Sequence, residues 1–525
     1  MEHHGSESYY VVGEGILGES VGGRPRSLAE AVEESVPPFH FSRLGPAGGG
    51  LQLTEAVLKK LASAMTAGGS AGGAPAAGYT YLGQFIDHDL TFDKTQVMLG
   101  EHVSPAQLLQ ARSPSLDLDS LYGAGPQDSK SAKFYSDGVR LKVGDTVAAG
   151  DPAKPRFDLP RVGTGSTAKA RRRALIPDPR NDENLAVAQT HRAFIRFHNR
   201  VVASLPTGLT AAQKFATARE LVVKHYQWMI RHDFLPRICA ASVVNDVFAN
   251  GRKAFEVGAL PTSVPTMPIE FSVAAYRLGH SMIRDAYNWN KNFDAGAGTL
   301  EFLFEFSGLS GTLGGEERLP SNWIADFRRL YDFGTAGRDD LVVPPAKFNK
   351  ARRIDTKLVN PLRHLPQQTI GPPPVPDTDP TRNLAFRNLV RAKMVRLATG
   401  QQMATFLESR GVTLTKLTKA QLREGHNGAS LDGLTATQRD LVLTRTPLWF
   451  YVLREAELNN GKLKGVGARI VAETFHRAME GSEFSIVRDP AFKPTLGPNN
   501  TTFRMVDLLL FAADGKANQI NPLGN

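Results

Sequence analysis

Apolar residues recur at helical spacing through long stretches of this chain, at residues 185–205, 211–230 and 384–407, and the connections between them are rich in glycine and proline. Period-two alternation is rare, so the chain is predicted to be mainly α, with little β structure. Glycine- and proline-rich runs at 45–50 and 68–78 flank the helical-looking LTEAVLKKLASAM. They predict an N-terminal arm over residues 1–50, followed by one large domain over 51–525. The proline-rich loop at 371–380 is not taken as a boundary, because the chemistry-bearing residues lie on both sides of it. With 525 residues, 41% of them hydrophobic, the chain can bury a large core.

The charge balance of +10 is spread along the chain. Its densest basic run, KARRR at 169–173, reads as a solvated loop, so no nucleic-acid partner is expected. With one cysteine, Cys239, no intrachain disulfide, cysteine zinc site or C-x-x-C-H attachment can form. Any metal must be held by histidine or carboxylate. The opening MEHHGSESYYVVGEGILG has no basic segment followed by an apolar one, and no stretch has the length to span a bilayer. These features predict a soluble chain without an integral membrane segment, either cytoplasmic or exported by a non-classical route.

Of the 13 histidines, most have a bland reading; His191, His198, His225 and His232 sit in helical runs where surface or satisfied core positions are usual. Two stand apart. In YLGQFIDHDLTFD, Gln84 and His88 share one face of a helix, and Asp87 and Asp89 flank the imidazole. In EFSVAAYRLGHSMIRDAYNW, read as helix-compatible, Arg277 and His280 face the same way, with Gly279 leaving room beside the ring. Further on, Arg180 and Glu183 precede a long amphipathic helix in IPDPRNDENLAVAQTHRAFIRFHNRVV, and LAFRNLVRAKMVRLATGQ carries Asn388 and Arg391 at the same spacing.

Taken in order, G-Q-x-x-D-H-D, L-D-x-D-S-L-Y-G, R-N-D-E-N, R-x-G-H and N-x-x-R give the chain its resemblance to the animal-type haem peroxidases of the peroxidase–cyclooxygenase superfamily, in a bacterial-looking version. The resemblance runs from about Tyr79 to the C-terminal NPLG and makes residues 51–525 a haem peroxidase catalytic domain. It implies haem b or ester-linked haem as cofactor, hydrogen peroxide as substrate, and a small reductant such as bromide, iodide, thiocyanate or a phenol. His88 is then the base that takes a proton from peroxide and returns it to the departing oxygen, because a neutral imidazole titrates near working pH. Arg180 would stabilise the charge on the leaving hydroxide, and Gln84 would hold a distal water or halide. His280 would be the axial ligand of the iron, with Asn388 as its hydrogen-bonding partner.

The same resemblance places Asp87 and Glu183 where mammalian members form ester bonds to haem methyl groups, and Arg277 and Arg391 where the propionates or the proximal region are held. Where some mammalian members carry a methionine sulfonium link, this chain has Asn184, so that third link is absent and a lower oxidising power is expected. Asp89, Ser113, Ser115, Asp117 and Asp119 match the family's calcium loop, and alternating oxygens of this kind suit a hard cation.

Two rivals come from the same residues. A fatty-acid oxygenase needs a tyrosine three residues before the proximal histidine, but Arg277 is there and Tyr276 is one residue too early, about a hundred degrees away on a helix. A non-haem metal site of His88 with Asp87, Asp89 and Asp93 leaves Arg180, His280 and Asn388 unexplained.

Overall fold

Several helices begin in this protein where the sequence supplies a cap. Asn184 accepts from the backbone of Val187 at 3.0 Å and starts α3; Thr210 and Gln213 form a reciprocal capping box that starts α4. The structure is a computed structural model that describes residues 39–46, 53–69, 72–95, 99–369 and 374–525, with backbone strands Tyr9–Val11 and Gly15–Leu17. The sequence-based expectations about an export signal fall largely outside the described residues.

The helices that matter below are α1 (Glu55–Met65), α2 (Gly78–Leu90), α3 (Leu185–Ser204), α4 (Ala211–Met229), α5 (Ala241–Asn250), α6 (Leu384–Met394), α7 (Gly400–Ser409), α8 (Leu448–Leu458), α9 (Gly465–Glu480) and α10 (Met505–Ala512). Strand structure is confined to short pairings, so the chain is mainly α as expected. Phe39–Ser42 runs antiparallel to Leu109–Gln110 and parallel to Met267–Pro268, and Gly72–Ala76 pairs with Lys350–Arg352. The arm boundary expected near residue 50 lies outside the described residues, but Phe41 and Leu44 before it are buried and the Arg43 guanidinium reaches the carbonyls of Val395 and Arg396.

Helix α3 is the central post, buried along nearly its whole length, with α2, α4 and α10 packed on it. Phe85 of α2 stacks on Phe194 of α3 with ring centroids 4.3 Å apart and meets Tyr226 of α4 edge-on at 6.3 Å. That aromatic junction fixes α2, leaving the stripe Thr80, Gly83, Gln84 and Asp87 on its other side. On the far side, α6 packs on α1, and Asn383, which caps α6, donates to Thr66 at the end of α1 at 2.9 Å.

Two sequence expectations need correction. The span 384–407 is two helices, because the chain turns at Arg396, whose φ is +46°, and restarts at the Thr399–Gln402 capping box. The stretch around His280 is broken into single turns, Ile269–Ser272, Ala275–Leu278 and Gly279–Met282. The helical histidines also divide. His198 is a satisfied core residue, donating from Nε2 to the Val139 carbonyl at 2.9 Å and accepting from Tyr122 Oη at 3.1 Å on Nδ1.

Burial pushes His198 down to about 4, so its folded-state value lies below that of the unfolded chain. The stability it contributes is complete above the unfolded value near 6.5 and is lost as pH falls towards 4. His198→Gln is therefore expected to destabilise less at pH 5 than at pH 7.5, by about 2 kcal/mol, measured by denaturant unfolding at the two pH values.

Candidate active site

Between α2 and the turns at 275–283 lies a cavity of about 530 Å³, whose walls include Thr80, Gly83, Gln84 and Asp87 on one side and Tyr276, Arg277, Gly279 and His280 on the other. Thr80, Gly83, Gln84 and Asp87 share one helical stripe, which is why residues so spaced meet a common space. A Cβ placed on Gly279 would meet nothing within 4 Å, so the space at this position is open. Arg277 also borders an adjoining cavity of about 350 Å³, with Thr91, Asp93, Arg180 and Arg391.

His88 stands just behind the Gln84 and Asp87 wall, fully buried. Its Nδ1 is 2.9 Å from Asn181 Oδ1, an oxygen that only accepts, so the ring proton sits on Nδ1 and Nε2 keeps its lone pair. That Nε2 has no hydrogen-bond partner among the described residues, and the nearest carboxylate oxygen, Glu183 Oε1, is 3.4 Å away. Gln84 donates to Glu183 Oε1 and accepts from Asn184 Nδ2 at 2.9 Å. Asn184, which replaces the expected sulfonium position, thus caps α3 and fixes Gln84 at once.

Arg180 is buried and closely held. Asp178 takes its Nε at 3.1 Å and its terminal nitrogen at 2.7 Å, the same nitrogen donates to the His88 carbonyl at 3.0 Å, and the guanidinium lies 4.2 Å from the centre of the Phe92 ring. Asp178 also receives Arg112 at 2.7 Å. Burial alone would raise the Asp178 carboxyl, but the two guanidiniums overcome it and hold the acid far below the ordinary carboxylate range. Asp87, by contrast, is raised by burial, which the more distant Arg277 and His88 only partly offset.

Across the cavity, the amide of Asn388 lies 2.8 Å from His280 Nδ1. The amide nitrogen Nδ2 is the atom that faces the ring; turned over, an exchange of N and O that leaves the contact in place, the amide would accept Nδ1–H and leave the Nε2 lone pair to a metal. Trp449 meets the His280 ring edge-on at 6.2 Å and donates to the Arg277 carbonyl at 3.3 Å. Arg277 donates from Nε to Ser272 O at 2.7 Å, and Arg391 pairs with Asp93.

The sequence-matched calcium residues lie in one neighbourhood, yet their oxygens are turned to protein partners. Asp89 accepts from Leu118 N and Ser120 N, both at 3.2 Å, and Asp117 accepts from Glu483 N at 3.0 Å. Ser113 accepts from Ser115 N at 3.3 Å, and Ser115 donates to Gly481 O at 3.3 Å. Burial, then repulsion from Asp119, raises Asp89 to about 7; burial and the same neighbour raise Asp117 to about 6 against its hydrogen bonds. Asp119 is raised by burial against Arg112 and Arg219. Among the described residues no three His, Cys, Asp or Glu side chains converge as a metal site, which also leaves the His88, Asp87, Asp89 and Asp93 alternative without a cluster.

Sequence reasoning passed over Asn181 and Asp178, which sit inside the quoted PDPRNDEN and could have been found as side-chain acceptors beside Arg180. It also misjudged Tyr276: on a tight turn instead of a regular helix, its ring borders the cavity, and its hydroxyl donates to Gly83 O at 3.3 Å. His191 is buried against Phe85 at 5.7 Å, with neither ring nitrogen bonded among the described residues, and burial pushes it down to about 3.

The chain is thus mainly helical, with one imidazole, His280, in the wall of the cavity and a second, His88, buried one turn beyond Gln84 of the facing wall. Residues 87–307 match the family model "Animal haem peroxidase". Thyroid peroxidase of Canis lupus familiaris is 27% identical over 192 residues, 34% of this chain and 20% of that protein. A peroxidase-like protein of Margaritifera margaritifera is 24% identical over 251 residues, 40% of this chain and 32% of its own length. The chain thus spans a fifth to a third of the length of these curated relatives. Among solved structures, Peroxidase A from Dictyostelium discoideum shares the fold with a TM-score of 0.60 at 13% identity, covering 92% of this chain and 94% of that one. The fatty acid alpha-dioxygenase of Oryza sativa has a TM-score of 0.50 at 10% identity, covering 98% and 87%.

Removing Asp178 leaves two buried guanidiniums without their common counter-ion. Asp178→Ala is expected to destabilise the fold by about 3–5 kcal/mol in denaturant unfolding, whereas Asp137→Ala at the surface costs less than about 1 kcal/mol.

Proposed function

We propose that this protein is a haem peroxidase that reduces hydrogen peroxide and oxidises small substrates such as bromide, iodide, thiocyanate or phenols. The observation that carries the reading is a pair of buried imidazoles, His280 in the cavity wall and tied to Asn388, and His88 one turn beyond Gln84 of the facing wall and tied to Asn181, the latter with Nε2 left unbonded among the described residues. Haem held there would supply the redox chemistry, taking oxidising equivalents from peroxide and passing them to the reductant.

His280 would hold the iron through Nε2. Asn388 fixes the ring and its tautomer, and as a neutral amide it leaves the imidazole less electron-rich than a carboxylate would. On the opposite side His88 Nε2 accepts the peroxide proton and returns it to the departing oxygen, and Asn181 keeps the ring in the tautomer that can do so. Arg180 supplies a fixed positive charge beside that step and, through the His88 carbonyl, holds the end of α2 in place. Gln84, held by Asn184 and Glu183, presents its amide at the cavity wall to a water or halide. Asp87 and Glu183 are the carboxylates available for ester links to haem methyl groups, and Arg277 and Arg391 border the space for the propionates. Without a sulfonium link from Asn184, iodide, bromide, thiocyanate and phenols are the expected reductants ahead of chloride.

A second reading, a fatty-acid oxygenase, gains from Tyr276 in the cavity wall. Its hydroxyl is engaged by the Gly83 carbonyl, and burial raises it well above the ordinary phenol value, so the peroxidase reading is preferred. Oxygen uptake with linoleate in the absence of peroxide would reverse that preference.

Among the described residues no helix is long and apolar enough to cross a membrane. We also propose that Ca²⁺ draws Asp89, Asp117 and Asp119 together with Ser113 and Ser115, because three buried, mutually repelling carboxylates are relieved by a divalent cation.

The purified protein reconstituted with haem is expected to show a Soret band that shifts on adding peroxide and returns on adding iodide or bromide. His280→Ala is expected to lose the band. Arg180→Ala is expected to retain it and react with peroxide at least 100-fold more slowly in stopped flow, a loss of roughly 2.7 kcal/mol or more of transition-state stabilisation. Calcium is expected to raise the melting temperature of the wild type over that in chelator, and to leave Asp117→Asn unchanged.

A further inference from the structure

Far from the haem cavity, the C-terminal half of α3 faces the turn that follows α10 across a cleft of about 740 Å³. Its walls carry Arg140, Arg156, Arg196, Arg200 and Lys516. Two carboxylates answer these five cations: Asp514 pairs with Arg200 and with Lys516 at 3.1 Å, and Asp137 pairs with Arg140 at 2.7 Å. Among the described residues neither Arg156 nor Arg196 has a carboxylate within ion-pair distance.

Behind the cleft, Arg192 is a buried cation, 2% exposed, with one terminal nitrogen unbonded among the described residues. It lies 4.1 Å from the centre of the Phe157 ring, and Arg196 lies 5.6 Å from the same ring. Arg192, Arg196 and Arg200 are spaced i, i+4 on one helix, where like charges repel. Arg156 is held with φ at +66°, a conformation an L-residue adopts at a cost; its N–H donates to Asp145 at 2.7 Å and its carbonyl accepts from Arg192 at 2.9 Å. A buried arginine is thus used to fix a strained loop that carries another arginine. Burial and the nearness of Arg156 bring Arg196 down to about 10, so the crowding weakens its hold on its proton.

We infer that this cleft binds a small molecule bearing two or more phosphate groups. Every cleft cation offers only donors, and the guanidinium fork matches the paired oxygens of a phosphate. Asn199, on the same face, has both side-chain polar atoms engaged by the Leu141 backbone, and Asp514, the one carboxylate among the lining residues, is already paired, so no unpaired negative charge lines the cleft. Ala203, Ala512 and Ala513 keep the floor open, and the volume suits a ligand larger than a single phosphate. The inference is independent of haem and of the peroxidase reading.

The test is calorimetric titration of the full chain with inorganic pyrophosphate at fixed ionic strength. Saturable binding is expected in the wild type, at least tenfold weaker in R156Q/R196Q, and within twofold of wild type in K169Q/R173Q, which removes the same charge from the basic run at 169–173. In phosphate-free buffer R196Q is expected to melt at or above the wild-type temperature, because it relieves repulsion. The inference is overturned if the wild type shows no saturable binding, if R156Q/R196Q keeps wild-type affinity, if K169Q/R173Q loses as much, or if R196Q melts lower. Tighter binding of a single-stranded RNA oligomer than of pyrophosphate would overturn the small-molecule assignment.

Discussion

One buried carboxylate, Asp178, holds together the side chains around His88, behind the α2 wall of the cavity. It sits between Arg180 and Arg112, and Arg180 reaches on to the carbonyl of His88 at the end of α2. The next residues continue the clasp: Asn181 takes the His88 ring, and Glu183 and Asn184 take Gln84 from its two ends. Buried charges of this kind add stability only when every partner is present, and in return they allow little freedom of position. A ring that must keep one tautomer benefits from that rigidity more than from a flexible contact.

The opposite wall is built differently. His280 rests on a single turn, so its placement depends on the neutral amide of Asn388 from α6, the edge of Trp449 from α8, and the Trp449 bond to the Arg277 carbonyl. Three segments far apart in sequence therefore meet at one imidazole. A short turn tolerates this because its backbone is not committed to a long helix axis. Elsewhere the protein keeps charges of one sign together at a cost: Asp89, Asp117 and Asp119 near the distal helix, and the arginines on the outer half of α3. In both clusters like charges crowd one another, and a ligand of the opposite sign would relieve either.

The motif residues were legible because they lie close together along the chain. Gln84 and His88, Arg180 and Glu183, and Asn388 and Arg391 each sit within one or two turns, so sequence spacing fixes which way they face. The helical spans at 185–204 and 211–229 were legible from their apolar spacing, and the structure adds the caps Asn184 and Thr210 that start them. Tyr276 was misplaced because its distance from Arg277 was reckoned on a helix that the packing of 269–283 breaks into turns.

The sequence by itself determined the helical class, the ends of α3 and α4 to within a residue and the residue types that could serve a haem, since each depends on interactions within a few residues. Only the tertiary structure decided that His88 is read by Asn181, that Tyr276 reaches the cavity, that the calcium-loop oxygens are turned to protein donors, and that residues 140, 156, 196 and 516 share a cleft. Those facts rest on contacts between segments tens or hundreds of residues apart, which packing selects and local periodicity does not encode.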